Sequence, residues 1–468
     1  DCDDNDRAVN PDEEEVCGDG ADNDCDGTPN ECRPEDNLVT GASLETDGAG
    51  QTGAFATALG DQDGDGTAEF LVSSGAYDGG GRVWMIAGGV QGDMILENDA
   101  DLEVRGMTTL ANWPYVGDIN GDGITDFSLY GGEEDPDYYG TISFASVTER
   151  GVRTLDEVAH TQIRGAAPYD SAGDSFDWGD LTGDGIPDLL IGAPGHLDAD
   201  YYYTGAAYIL PGPLTGDHIV AEATTTFSGP DGKDQGVGRH TLLRDLNGDG
   251  LVDALIGLGD PYLTGNFEGA TAIFYGPVAG DYNIFDADEM LYGGVEYETG
   301  GTVLKGGEDD NGDGLPELWY GSVSADTFSG QTRPGYAYYL RSPITGGIVR
   351  DLAYATLSGE TAVDYFGGAI SLGDVDQDGI TDVWTGATGQ SQAGEGSGKA
   401  YLFYGPFAGT RSAVDADAFH LGSGTNVGGG DGLSILGDVN GDGEVDLLFG
   451  EYNYNSKGRS VVIFGYSY

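Results

Sequence analysis

Basic side chains are scarce in this chain: 18 Lys and Arg stand against 82 Asp and Glu in 468 residues, a formal net charge of −64. Such a molecule repels phosphate backbones and anionic membrane surfaces, which excludes nucleic acid as a partner and membrane insertion as a role. Histidine is rarer still. His160, His196, His218, His240 and His420 occupy non-equivalent places, with no His-x-His or His-Glu-x-x-His spacing and no nucleophile motif, so the expectation is that the chain is not an enzyme. A carboxylate pair for glycan cleavage is the one form of catalysis that so many acids leave open. No apolar run reaches 18 residues, the length of a membrane helix. With no start Met and no signal peptide, the chain reads as a processed or trimmed segment. Cysteine is confined to Cys2, Cys17, Cys25 and Cys32. An even, clustered set implies two disulfides in an oxidising compartment, secreted or at the cell surface, with all three pairings open.

What the chain has in abundance is glycine, 84 residues, and aspartate in a recurring nine-residue figure. Asp438-Val-Asn-Gly-Asp-Gly-Glu-Val-Asp446 carries oxygen-bearing side chains at positions 1, 3, 5 and 9 and glycine at 6, and the figure occurs seven times. Its side-chain positions are Asp61, Asp63, Asp65 and Glu69; Asp118, Asn120, Asp122 and Asp126; Asp180, Thr182, Asp184 and Asp188; Asp245, Asn247, Asp249 and Asp253; Asp309, Asn311, Asp313 and Glu317; Asp374, Asp376, Asp378 and Asp382; and Asp438, Asn440, Asp442 and Asp446. Calcium takes roughly six to eight oxygens at about 2.3–2.6 Å, and a turn pivoting on glycine can aim alternate side chains and the position-7 carbonyl at one point. Those carbonyls belong to Thr67, Ile124, Ile186, Leu251, Leu315, Ile380 and Glu444. A single copy would read equally well as an Asp/Gly turn. Seven in one frame read as calcium loops, Thr182 being the poorest match. The loops hold 23 carboxylates, so seven Ca2+ would offset only part of the charge; the remainder suits a solvated surface in salty water.

Residues 1–35 contain almost no large apolar side chains, so disulfides or bound metal must hold them in place of a core. Asp22, Asp24, Asp26 and Gly27 repeat the 1-3-5-6 spacing, but position 9 is Asn30. The run Val-Cys-Gly-Asp-Gly-Ala-Asp-Asn-Asp-Cys-Asp-Gly-Thr at 16–28 resembles the cysteine-rich metal-binding motif of secreted and surface proteins from myxobacteria and their relatives. That resemblance implies a bacterial source and a second, separate metal-binding unit.

From residue 36 a period takes over. First-position aspartates fall at 61, 118, 180, 245, 309, 374 and 438. Each step carries four short runs rich in β-branched and aromatic residues between turn residues, such as Ala369–Leu372 before a loop, Leu189–Ile191 after it, Thr271–Tyr275 beyond a Gly-rich connection, and Met290–Gly293 last. None is long enough for a helix. Four strands in each of seven repeats predict an all-β chain, a seven-bladed β-propeller over 36–468. The seventh repeat stops after its third strand at Phe464, while residues 42–48 carry a spare fourth-strand pattern. Residues near 38–47 are therefore expected to complete the last blade and leave no open edge.

The aromatic-Gly pair Phe366-Gly367, the Asp-rich loop and Ile-Gly-Ala-Pro at 191–194 resemble the FG-GAP repeats of the integrin α-subunit propeller. The pair lacks its aromatic near Val237, Gly301 and Val427. The resemblance implies seven blades, structural calcium, and adhesive contacts on the face away from the calcium loops. It also implies an axial aromatic cage for a partner integrin β-like chain, for which Phe55, Tyr115, Phe176 and Phe366 are the candidates. On the expected contact face, Tyr138, Tyr139, Tyr201, Tyr202, Tyr203, Tyr262 and Tyr452 offer apolar area with a hydrogen-bonding tip, which suits a protein or glycan ligand. A carbohydrate-active enzyme and a structural spacer are the alternatives.

Overall fold

The apolar runs between the Asp-rich loops form antiparallel strands, and these assemble into seven sheets. The computed structural model describes residues 38, 41–47, 52–77, 80–107, 116–131, 138–230, 236–259, 269–293, 300–323 and 334–465. The cysteine-rich segment, with Cys2, Cys17, Cys25, Cys32, Asp22, Asp24 and Asp26, lies outside the described residues, as do Tyr115 and Tyr262.

Blade 4 shows the plan. Val237–Arg244 pairs with Asp253–Leu258, that strand with Ala270–Phe274, and that with Glu289–Tyr292, each antiparallel to the last. The first strands lie innermost, and those of blades 3, 4, 5, 6, 7 and 1 touch one another in succession. The ring closes where Thr52–Gly60 of blade 1 meets Gly429–Gly437 of blade 7. As expected, Ala42–Glu45 completes blade 7 by pairing antiparallel with Arg459–Ile463, Ala42 opposite Val462 and Leu44 opposite Ser460.

Adjacent sheets pack face to face, and both fill the space between them. Between blades 5 and 6, Trp319, Tyr339, Val383, Phe403 and Phe407 are all buried. Burying each such side chain contributes about 1.5–3 kcal/mol relative to leaving it in water.

Toward the axis the blades converge too tightly for side chains. A Cβ on Gly386 of blade 6 would lie 1.9 Å from the Gly430 carbonyl oxygen of blade 7, and one on Gly192 would lie 1.9 Å from that of Gly238. Gly238 and Gly430 in turn sit at φ 87° and 89°, where a side chain is strained. This paired approach is the physical reason for the glycine of the aromatic-Gly pair and for the glycine of Ile-Gly-Ala-Pro.

The structure differs from the expected four strands in one respect. Among the described residues, six sheets have a fifth, parallel strand supplied by the following blade. Gly280–Asn283 runs beside Thr225–Ser228, for example, and Gly409–Ser412 beside Ala355–Ser358. On blade 6 the Leu38 N–H donates to the Phe419 carbonyl at 2.7 Å, so the N-terminal strap serves two blades. These outer strands are two to four residues long, and Gly151–Thr154 is exposed throughout, so they carry no apolar alternation to read. Each is followed by a single helical turn that sets its first residue inward, such as Leu155, Ile284 or Val349. Among the described residues no helix is long and apolar enough to cross a membrane.

Candidate metal centres

Every Asp-rich figure joins the first and second strands of its blade, all on one face of the ring. In loop 4 the first-position Asp245 accepts N–H bonds from Gly248 at 2.7 Å and Gly250 at 2.8 Å. Asn247 accepts from Asp249 at 2.8 Å, and Asp249 from Leu251 at 2.9 Å. The turn thus winds around its own side-chain oxygens. Gly248 and Gly250 sit at φ 80° and 85°, and a Cβ on Gly250 would meet nothing within 4 Å. Backbone conformation, not crowding, demands glycine at position 6.

Position 9 differs from the rest because it opens the second strand and is buried. Asp253 is wholly buried, its Oδ2 accepting from Leu246 N–H at 2.9 Å and its Oδ1 from Gly276 N–H at 3.1 Å. Asp188, Asp382 and Asp446 are held in the same way from the segment that follows the third strand, by Gly212, Gly405 and Gly465. In blade 2 His160 Nε2 takes that place beside Asp126 Oδ1, at 3.0 Å.

Burial, reinforced by neighbouring loop acids, pushes these carboxyl groups up: Asp382 to about 7, Asp253 and Asp446 to about 6, and Asp188, Glu69 and Glu317 in the same direction. A carboxylate in such a place is short of positive charge.

The donor set fits a hard divalent cation. Carboxylate oxygens of Asp61, Asp63 and Asp65 lie within 4.8 Å of one another, as do those of Asp374, Asp376 and Asp382. Glu69 Oε1 and Asp374 Oδ1 are buried without a hydrogen-bond partner, one at position 9 and one at position 1. Thr182, the poorest match by type, keeps the loop's path, its N–H donating to Asp188 Oδ2 at 2.9 Å. The position-7 residues donate N–H to position 5 in all seven loops, as Ile124 does to Asp122 and Glu444 to Asp442.

Contacts between loops escaped the sequence reading. The position-7 side chain of one loop covers the position-4 glycine of the loop before it: Leu251 lies over Gly183, Leu315 over Gly248, and Thr67 over Gly441. Loop 6 has Gln377 at position 4 instead, at φ 60°, and its Nε2 donates to the Gly443 carbonyl of loop 7 at 2.9 Å. Gln377→Ala keeps the strained backbone and loses the bridge. Gln377→Gly loses both. Denaturant titration is expected to find the alanine variant about 1 kcal/mol less stable than the glycine variant.

On the opposite face, blades 2 and 3 gather the tyrosines. Tyr201 is 82% exposed, and Tyr138, Tyr202 and Tyr203 are exposed as well. Tyr138 stacks on Tyr169 with ring centroids 6.1 Å apart, and Tyr139 lies under the Arg164 guanidinium at 3.8 Å. Tyr169 was not singled out from the sequence, and neither was His196, whose Nδ1 lies 2.9 Å from an oxygen of the fully buried Asp170. A lone His beside a tyrosine run offered only a faint signal; the Asp lies 26 residues earlier. Tyr138, Tyr169 and Tyr201 take φ of 55°, 71° and 65°. Tyr452 packs against Gly428 in blade 7, apart from this patch and half-buried.

The expected axial cage is not assembled as predicted. Phe366 is wholly buried against Tyr401 and Phe403, and Phe176 is turned edge-on to Phe144 in the core between blades 2 and 3. Only Phe55, half-buried on the channel wall, remains of the described candidates.

Residues 172–210 and 366–403, the first three strands of blades 3 and 6, match the FG-GAP repeat, and residues 1–31 match the Cu-binding MopE metal-binding motif. The chain is 35% identical over 175 residues to integrin alpha-PS2 of Drosophila melanogaster, covering 35% of this chain and 12% of that protein. It is 28% identical over 218 residues to integrin alpha-5 of Xenopus laevis, covering 45% and 20%. It is also 28% identical over 234 residues to phosphatidylinositol-glycan-specific phospholipase D of Homo sapiens, covering 47% and 27%. The chain therefore spans between 12% and 27% of the length of these relatives. It is a seven-bladed propeller carrying FG-GAP repeats, with integrin α chains among its homologues.

Proposed function

We propose that this chain is an extracellular, calcium-stabilised recognition module that binds a protein or glycan through the tyrosine face of blades 2 and 3. Calcium is held in each loop by side chains at positions 1, 3, 5 and 9 and the carbonyl at 7, from Asp61 to Glu69 through Asp438 to Asp446. The cysteine-rich residues 1–35 form a separate metal-binding unit. Secretion or surface display provides the millimolar calcium these exposed loops require.

One observation carries the reading of the ligand face. Three tyrosines of this face hold a backbone conformation that glycine or asparagine would adopt at lower cost, and two of them, Tyr138 and Tyr201, are the most exposed aromatics among the described residues. Strain of about 1–3 kcal/mol per residue, kept alongside exposed rings, favours selection for contact rather than for folding.

A glycan and protein array, followed by Tyr201→Ala, Tyr202→Ala and Tyr203→Ala together, tests it. Binding that falls at least about a hundredfold in the triple variant, with an unchanged melting temperature, is the expected result. Full binding in that variant would remove the assignment. The similarity to phosphatidylinositol-glycan-specific phospholipase D supports a second, enzymatic reading; turnover of a glycan-bearing substrate in the same array would establish it instead.

A further inference from the structure

The inner strands enclose an axial channel. One cavity of about 500 Å3 is lined by inner-strand residues of blades 1, 4, 5, 6 and 7, and it shares His240 and Lys305 with a second of about 250 Å3 against blades 3, 4 and 5. The space exists because blades 6 and 7 present small residues there, Gly368, Ala369 and Gly432 among them.

The opposite wall is basic. Of only 18 cationic residues in a chain of net charge −64, Arg239, Arg244 and Lys305 come from the adjoining inner strands of blades 4 and 5 to line these cavities. Asp177 faces two of them, Arg244 and Lys305. Its Oδ2 lies 3.7 Å from Arg244, and both its oxygens accept backbone N–H bonds, from Leu243 at 2.8 Å and Trp178 at 2.9 Å. Asp174 faces Arg239 electrostatically, and Asp431 projects from blade 7 on the far side. The wall of blades 3 to 5 thus holds three cations against two acids.

The Lys305 ammonium is poorly solvated. Burial, with Arg244 adding to it, pushes the Lys305 ammonium down to about 8 even beside Asp177. Burial, then the Arg239 and Lys305 charges, push His240 down to about 3, so its ring is neutral at pH 7. An anion seated here would gain charge-assisted hydrogen bonds and relieve the repulsion among the cations. The acidic exterior repels polyanions and so restricts the occupant to a small solute.

We propose that the axial channel is a binding site for a small oxyanion, a carboxylate or a tetrahedral oxyanion group, held by Lys305, Arg239 and His240. This site is independent of the tyrosine face and of the metal loops.

Five histidines make His240 a local reporter. The calcium-loaded full chain is titrated with sodium sulfate, which stays soluble beside calcium, and separately with sodium acetate, while the imidazole proton resonances are followed. The expected result is a saturable movement of His240 alone, at least about tenfold weaker in Lys305→Met. Ala369→Met fills the cavity while keeping every charge, and is expected to abolish the movement; it decides the matter if the lysine variant does not fold. Linear drift of all five resonances together, or full affinity in either folded variant, overturns the proposal. Saturation by sulfate but not acetate identifies a tetrahedral oxyanion as the occupant, and the converse a carboxylate.

Discussion

Removing calcium with a chelator at pH 7.5 is expected to lower the melting temperature by about 20 °C. At about 1 mM calcium and a dissociation constant near 10 µM, each loop adds about 2.7 kcal/mol. Seven sites together add about 19 kcal/mol, against an unfolding entropy of roughly 0.9 kcal/mol per degree for a propeller of this size. The loss spreads beyond single loops, because position-7 side chains join loops 3 to 4, 4 to 5 and 7 to 1, and Gln377 joins loops 6 and 7. Differential scanning calorimetry with and without chelator checks it, and coincident melts would exclude a structural role for the loops.

The pH dependence gives the same experiment a second readout with a sign. Asp382, Asp253 and Asp446 have carboxyl groups raised to about 7, 6 and 6 in the metal-free fold. An acid whose folded pKa is raised destabilises the fold above that pKa, and protonation removes the penalty. Chelated protein should therefore gain stability as pH falls from about 7 toward 5. Calcium-loaded protein should lose it over the same window, because protons and metal compete for one set of oxygens. Parallel slopes in the two states would show that these carboxyl groups do not take the metal.

Gly386→Ala is expected to carry a large cost for a change that adds only a methyl group. Its Cβ would lie 1.9 Å from the Gly430 carbonyl oxygen, a backbone atom that cannot swing aside. Relief requires blades 6 and 7 to part, uncovering Trp384, Phe449 and Val461 in the core between them. A loss of about 3 kcal/mol or more follows, readable as a shift in the denaturation midpoint at constant slope. Gly424→Ala is the control, since a Cβ there meets nothing within 4 Å. Equal stability of the two variants would refute the close approach as the reason for glycine.

Much of this molecule was legible because its strongest signals are local. The Asp-rich figure is a turn whose candidate ligands, glycines and most of its hydrogen bonds lie within nine residues, so spacing alone identified all seven loops and where the second strands begin. The chain-closing strand was legible for a different reason: a missing fourth run at one end and a spare one at the other leave a single pairing that closes the ring. The outer parallel strands were not legible, since exposed runs such as Gly151–Thr154 bury nothing and so impose no pattern. Nor was the fate of Phe176 and Phe366, because the aromatic-Gly figure places a ring near the axis without saying whether it turns to the channel or to the neighbouring blade.

By itself the sequence determined the number of blades, the place and chemistry of the candidate metal loops, and the way the ring shuts, all consequences of short-range spacing repeated seven times. Only the tertiary structure decided what lies on the axis and on the far face. The basic wall of the channel, the His196–Asp170 pair and the stacked tyrosines join residues from different strands and blades, and their proximity depends on how sheets pack rather than on any spacing along the chain.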